Sequence, residues 1–252
     1  MRMAFVTVIS IALGAGAALA ADGDDDACAV AQNLVHADFP LPQVANAIHQ
    51  HQLDVVVVGT VSSALNWPGG QSKAYPARLE AALTKTFPDV TVKVTSYIKP
   101  RQTAADMVKA FDQIVDNAKP ALVIWQTGTT DAIRGVEPDA FSTALEEGVE
   151  AVRAKHSDIL FMNMQYSPRT ESVIAANSYA DAMRFVALQH ELLLFDRFAI
   201  MRHWSEMGTF DLFSATKNTE TAESVHNCIG RLLADLINEG AGLTETVGKD
   251  PH

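Results

Sequence analysis

Short β-branched runs and helical stripes of apolar residues follow one another along this chain, and that alternation constrains its fold more than any other feature. Val55 to Val58 is an unbroken run ending at Gly59, the pattern of a strand buried on both faces. Pro76 then opens a helix in which Leu79, Leu83 and Phe87 recur at four-residue spacing until Pro88. Val90, Val92 and Val94 alternate with polar residues as a strand. Thr103 stands as the N-cap of a helix striped by Met107, Phe111, Ile114 and Val115. Ala121 to Trp125 predicts a strand, the stripe Phe141, Leu145, Val149 and Val152 a helix, and Ile159 to Met164 a further strand. A helix follows from about Glu171 to His190, then a last strand over Leu192 to Phe195. Val225, Ile229, Leu232 and Leu236 stripe the final helix.

Such repetition predicts a parallel sheet with helices on both faces, in which ligands bind beyond the carboxyl ends of the strands. The loops to search are therefore those after Val58, Val94, Trp125 and Met164. No internal repeat, low-complexity tract or linker divides the chain after its N-terminal segment.

That segment reads differently. Met1-Arg2-Met3 is a short basic start, Ala4 to Leu19 is mostly apolar, and Ala18-Leu19-Ala20 forms an A-x-A cleavage site before the acidic run Asp22 to Asp26. This is the pattern of a secretory signal peptide, and the expectation is export to the periplasm or beyond. Residues 1–20 are expected to be the signal, 21–50 an N-terminal arm and 51–252 one domain. No later stretch approaches the ~20 apolar residues of a membrane-spanning helix. Export also gives meaning to the two cysteines: in an oxidising compartment, Cys28 and Cys228 are expected to form one bridge between the arm and the final helix.

Among the 252 residues, Asp and Glu outnumber Lys and Arg by 30 to 19, a net charge of −11. The surplus acid argues against nucleic acid or an anionic membrane surface as the main partner. Two cysteines exclude a four-thiolate zinc site, and His49-Gln50-His51, without nearby cysteine or carboxylate partners, reads as a solvated segment rather than a metal site. No cofactor is expected. Oligomeric state is open.

The searched loops carry a recognisable series. Gly59-Thr60-Val61-Ser62-Ser63 follows the first strand, and Lys99-Pro100-Arg101-Gln102-Thr103-Ala104-Ala105-Asp106 the second. Trp125-Gln126-Thr127-Gly128-Thr129-Thr130-Asp131 ends the third and Met164-Gln165-Tyr166-Ser167-Pro168-Arg169 the fourth. With Tyr75-Pro76-Ala77-Arg78-Leu79 between the first two, and the stretches Arg197 to Trp204 and Cys228 to Asp235 beyond them, the chain resembles the SGNH (GDSL-type) hydrolases. The resemblance implies a flavodoxin-like three-layer α/β/α fold with a parallel central sheet. It also implies hydrolysis of acyl esters on glycans or lipids by a serine nucleophile.

Residue by residue, the catalytic positions depart from that family. The nucleophile's place, two residues after the glycine that ends the first strand, holds Val61, with Ser62 and Ser63 following. The second-loop glycine, whose amide helps bind the oxyanion, corresponds to Arg101. Gly128 of the third-loop motif is present, but its asparagine is Thr130. Counted without gaps from Cys228, the closing acid and histidine fall on Lys217 and Glu220; a gapped register offers Glu223 and His226 instead. Valine cannot attack a carbonyl, so turnover requires Ser62 or Ser63 as nucleophile and His226 as base. Arg101 and Thr130 would then supply oxyanion donors.

Each of these residues also has an ordinary structural use. Ser62 and Ser63 can cap a helix, His226 can be a structural histidine, and Lys217 and Glu220 can pair one turn apart. Two functions follow as expectations: an exported esterase using Ser62 and His226, or an SGNH-fold protein that binds a glycan or acidic ligand without turnover. In an acidic chain, Arg101 and Lys217 are the cations at which to look for that ligand.

Overall fold

The computed structural model describes residues 27–172, 176–213 and 218–247; the segment 1–20, the acidic run Asp22 to Asp26, and Lys217 lie outside the described residues. Five strands form one sheet, β1 (Gln52–Gly59), β2 (Thr91–Ile98), β3 (Leu122–Gln126), β4 (Asp158–Met162) and β5 (Leu193–Phe195), in the order β2-β1-β3-β4-β5. Every pairing is parallel. One helical layer contains α1 (Pro42–His49), α2 (Tyr75–Thr86) and the last helix, α10 (Thr219–Val247). The other contains α3 (Ala104–Val108), α4 (Phe111–Ala118), α6 (Pro138–Arg153) and α8 (Ala176–Gln189), with α5 (Thr129–Arg134) against α8. Short helices α7 (Pro168–Glu171) and α9 (Arg197–Glu206) follow β4 and β5. This is the expected flavodoxin-like three-layer α/β/α arrangement.

The expected strands and stripes are present because the central strands have no solvated face: Val55 to Val58 and all of β3 are buried. Several boundaries shift by a residue or two, and three differences are larger. β2 extends to Ile98, since it pairs residue for residue with the whole of β1, and its polar positions are tolerated at a sheet edge. The helix capped by Thr103 is two helices, α3 and α4, with the stripe from Met107 to Val115 continuing across the break. Thr103 itself forms a capping box with Asp106.

The third difference is α1. Its Val44 and Ala45 are buried, as is Leu41 before it, and the amides of Gln43 and Val44 donate to Asp158 Oδ2 at 2.8 and 3.0 Å. The chain before the first strand thus packs as a helix, while His49, Gln50 and His51 at its end are exposed, the solvated segment the sequence predicts. Asp158, capping a helix from a largely desolvated position, has its pKa pushed up to about 6 by burial. His51 Nδ1 lies 3.1 Å from the carbonyl of Asp89. Cys28 and Cys228 form a disulfide, as the sequence predicts, closing a sequence separation of 200 residues. Among the described residues, no helix is long and apolar enough to cross a membrane.

Candidate functional site

Strand order reverses between β2-β1 and β1-β3, so the chain leaves β1 and β3 on either side of a crevice. A cleft of about 790 Å³ opens there, lined by residues from the loops after all five strands and by the start of α10.

β1 ends at Gly59, where a Cβ would lie 2.2 Å from Ser63 Oγ; only glycine lets the following turn fold back this closely. Val61–Ser63 makes that single turn of 3₁₀-helix. Ser63 is fully buried and donates to Gln126 Oε1, which also accepts the Tyr75 hydroxyl at 3.1 Å. The other end of the amide, Gln126 Nε2, donates to Ser62 Oγ. Neither serine caps a helix, a use the sequence allows; both are fastened to the buried amide at the end of β3. Val61, which the sequence resemblance puts in the nucleophile's place, is 46% exposed and faces the cleft, with Ser62 beside it.

His226 lies at the cleft's edge in α10, and its Nδ1 accepts the backbone N–H of Tyr75 at 2.9 Å. A neutral imidazole that accepts at Nδ1 carries its proton on Nε2. Burial, reinforced by the nearby Arg197 guanidinium, lowers the His226 pKa to about 3. Nε2 is therefore a donor toward the cleft, whereas a serine hydrolase needs an acceptor there. No hydrogen bond joins His226 to Ser62 or Ser63 among the described residues. Glu223, the acid of the gapped register, takes Lys73 Nζ at 2.8 and 2.9 Å, so it does not orient the His226 ring. Glu220 is exposed, and its backbone N–H donates to Asn218 Oδ1 at 3.0 Å; its expected partner Lys217 lies outside the described residues.

The second and third loops meet around Asp131. Arg101 adopts φ 60°, the left-handed conformation that glycine favours, and its exposed side chain lines the cleft. Its carbonyl accepts Arg134 Nη2 at 2.9 Å. Gly128 has φ 98° and starts α5, placing Thr130 on the cleft wall. Asp131, one residue on, is buried and accepts the Ala104 N–H at 3.0 and 3.2 Å, tying the third loop to the start of α3; desolvation raises its pKa.

Sequence reasoning missed Gln126, Tyr75, Asp131 and, most consequentially, Arg197. The Arg197 side chain is 1% exposed, yet it lines the cleft and donates from Nη1 to the Ser62 carbonyl at 3.1 Å. Its Nε has no hydrogen-bond partner, and the guanidinium makes no ion pair among the described residues. Neighbouring Asp196 offers no charge, because its carboxylate is held by Arg184 Nη2 at 2.6 Å and by Asn163. Burial lowers the Arg197 pKa to about 10, which leaves it cationic at neutral pH. Among the described residues, no cluster of three or more His, Cys, Asp or Glu side chains can hold a metal ion.

The model of the Non-GDSL lipase-like family matches residues 27–243. No curated protein matches this chain. A mutant of Axe2, an acetyl-xylooligosaccharide esterase from Geobacillus stearothermophilus, is similar with a TM-score of 0.60 at 15% identity, over 73% of this chain and 94% of that one. Esterase EstA from Pseudoalteromonas sp. has a TM-score of 0.56 at 14% identity, over 74% and 97%. A putative lipolytic protein of the G-D-S-L family from Desulfitobacterium hafniense gives 0.54 at 20% identity, over 73% and 98%. At these identities the likeness is one of fold, and the fold is that of the SGNH hydrolases. The match across nearly all the described chain makes this protein a member of the Non-GDSL lipase-like family.

Proposed function

We propose that this protein is an exported member of its family that binds an acidic ligand in the cleft and does not hydrolyse it. The observation that carries this reading is the bond from the Tyr75 N–H to His226 Nδ1, which puts the ring's proton on the side facing the cleft. A base at that position must receive a proton at Nε2; here the ring offers one, and its low pKa makes it a poor acceptor. Val61 in the nucleophile's place and Glu223 engaged with Lys73 support the same conclusion. Export is supported by the disulfide and by the signal-peptide pattern of residues 1–20.

As a binding site the cleft is rich in donors: the Arg101 and Arg197 guanidinium groups, His226 Nε2–H, and the hydroxyls of Ser62 and Thr130, beside the amides of Asn66 and Gln165, which can also accept. No carboxylate lines it among the described residues. The competing reading, favoured by the esterases of the same fold, makes Ser62 the nucleophile and His226 its base. Release of nitrophenolate from p-nitrophenyl acetate by the disulfide-intact protein separates the two. The expected rate is that of buffer alone, unchanged by Ser62→Ala; a saturable rate that disappears in Ser62→Ala would establish the esterase instead.

A further inference from the structure

We infer that the ligand is a carboxylate with an apolar remainder, such as a medium-chain aliphatic acid, its head between Arg101 and Arg197 and its tail along the apolar wall. This rests on the reading of the cleft as a binding site without turnover.

The head group follows from the charges. A buried guanidinium without a counter-ion is costly, and Arg197 has none among the described residues. Of the four arginines lining the cleft, Arg134 pairs with Asp106, and Arg169 is exposed, with the Phe213 ring 4.6 Å away; Arg197 is buried, and its partners, the Tyr75 ring at 5.8 Å and the Ser62 carbonyl, are neutral. Arg197, in the wall, is thus a buried charge without a counter-ion, and Arg101, on the rim, has no carboxylate partner among the described residues. Two cations on a protein of net charge −11 favour a small monoanion over a polyanion, which the rest of the surface would repel. With Nε2–H of His226 and the Thr130 hydroxyl, the polar end offers more donors than acceptors, as a carboxylate requires.

The tail follows from what else lines the space. Leu65, Trp67, Leu212 and Val225 face the cleft together with Val61 and Ile133, and the last two are 46% and 65% exposed. Apolar side chains left open around a pocket of this volume mark a surface that a ligand covers. A sugar acid would instead turn its hydroxyls toward these apolar side chains, where they find no partner.

Calorimetric titration of the disulfide-intact full-length protein with octanoate, octanamide and glucuronate tests the assignment. Octanoate is expected to saturate a single site, with octanamide and glucuronate each about tenfold weaker or more, since a charge-assisted bond and a buried alkyl chain are each worth that factor. Arg101→Gln, a change at an exposed side chain, is expected to weaken octanoate about tenfold and leave octanamide unchanged. Equal affinity for octanoate and octanamide, an unaltered octanoate affinity in Arg101→Gln, or glucuronate binding as tightly as octanoate would each overturn the inference. So would the absence of octanoate binding, which would leave the non-hydrolytic reading standing. Ester hydrolysis lost in Ser62→Ala would overturn that reading whatever the titration gave.

Discussion

Replacing Cys28 and Cys228 by serine is expected to lower the stability of this protein by about 5 kcal/mol. The bridge closes 200 residues of chain, nearly everything from the first described turn to the last helix. In the chain-entropy account, a cross-link stabilises by narrowing the unfolded ensemble, and the gain grows with the logarithm of the loop. For a domain of this size the loss corresponds to a fall in melting temperature of about 10–20 °C. Calorimetry of the oxidised protein beside the double-serine variant measures it. The native state also depends on the bridge locally, because the arm behind Cys28 feeds Leu41 and α1 into the core, and Glu239 of α10 accepts the Ala37 N–H at 3.1 Å. A difference below about 1 kcal/mol would mean that these contacts hold the arm with no need of the covalent tie.

The second large effect is on acid stability, and its sign follows from His226. Its folded pKa is about 3, against an ordinary 6.5 for the unfolded chain. Below pH 6.5 the unfolded chain binds a proton that the folded protein refuses. His226 therefore contributes stability that is fully present above pH 6.5 and is lost as pH falls toward 3, at about 1.4 kcal/mol for each pH unit. Asp158 acts in the opposite direction: raised to about 6, it takes up its proton first in the folded state and adds stability as pH falls from there toward its ordinary value. Comparison with His226→Gln cancels the Asp158 contribution, and the glutamine oxygen can still accept the Tyr75 N–H. Between pH 7.5 and pH 5, the native protein is expected to lose about 2 kcal/mol more than this variant in denaturant titrations. Equal losses would mean that the folded protein accepts a proton on His226, and the ring could then serve as a base.

The reach of the sequence is clearest where interactions are local. Thr103 is legible as an N-cap because its partner is only three residues away, and the structure adds the return bond from Asp106. The valines of β1 declare a doubly buried strand, and the alternation of elements declares a parallel sheet, because the periodicity of each segment reflects the face it buries. The bridge between Cys28 and Cys228 is legible from count and compartment together. The loop series locates the cleft correctly because a doubly wound sheet puts its ligand at the carboxyl ends of the strands.

The chemistry of the site is not legible in the same way, because it depends on contacts between distant residues. Tyr75 and His226 are 151 residues apart, and a single bond between them decides whether the ring accepts or donates. Gln126 lies inside a run of buried strand residues, where nothing in the pattern marks it as the amide holding Ser62 and Ser63. Arg197 follows an aspartate, and adjacency suggests an ion pair; the structure turns that aspartate to Arg184 and leaves the arginine facing the cleft. Glu223 and His226 have the spacing of an acid–histidine pair along a helix, yet each is engaged by a different residue before α2 or at its start. Motif spacing reports which positions correspond, while the partner of each side chain determines what it can do.

Whether Ser62 is an activated nucleophile is tested most directly by the intact mass of the protein after exposure to an alkyl fluorophosphonate, which phosphonylates serines only when a base activates them. With His226 donating rather than accepting, the mass of the unmodified chain is expected. A single phosphonyl adduct on Ser62, abolished by His226→Gln, would contradict the assignment of this cleft as a site that binds without turnover.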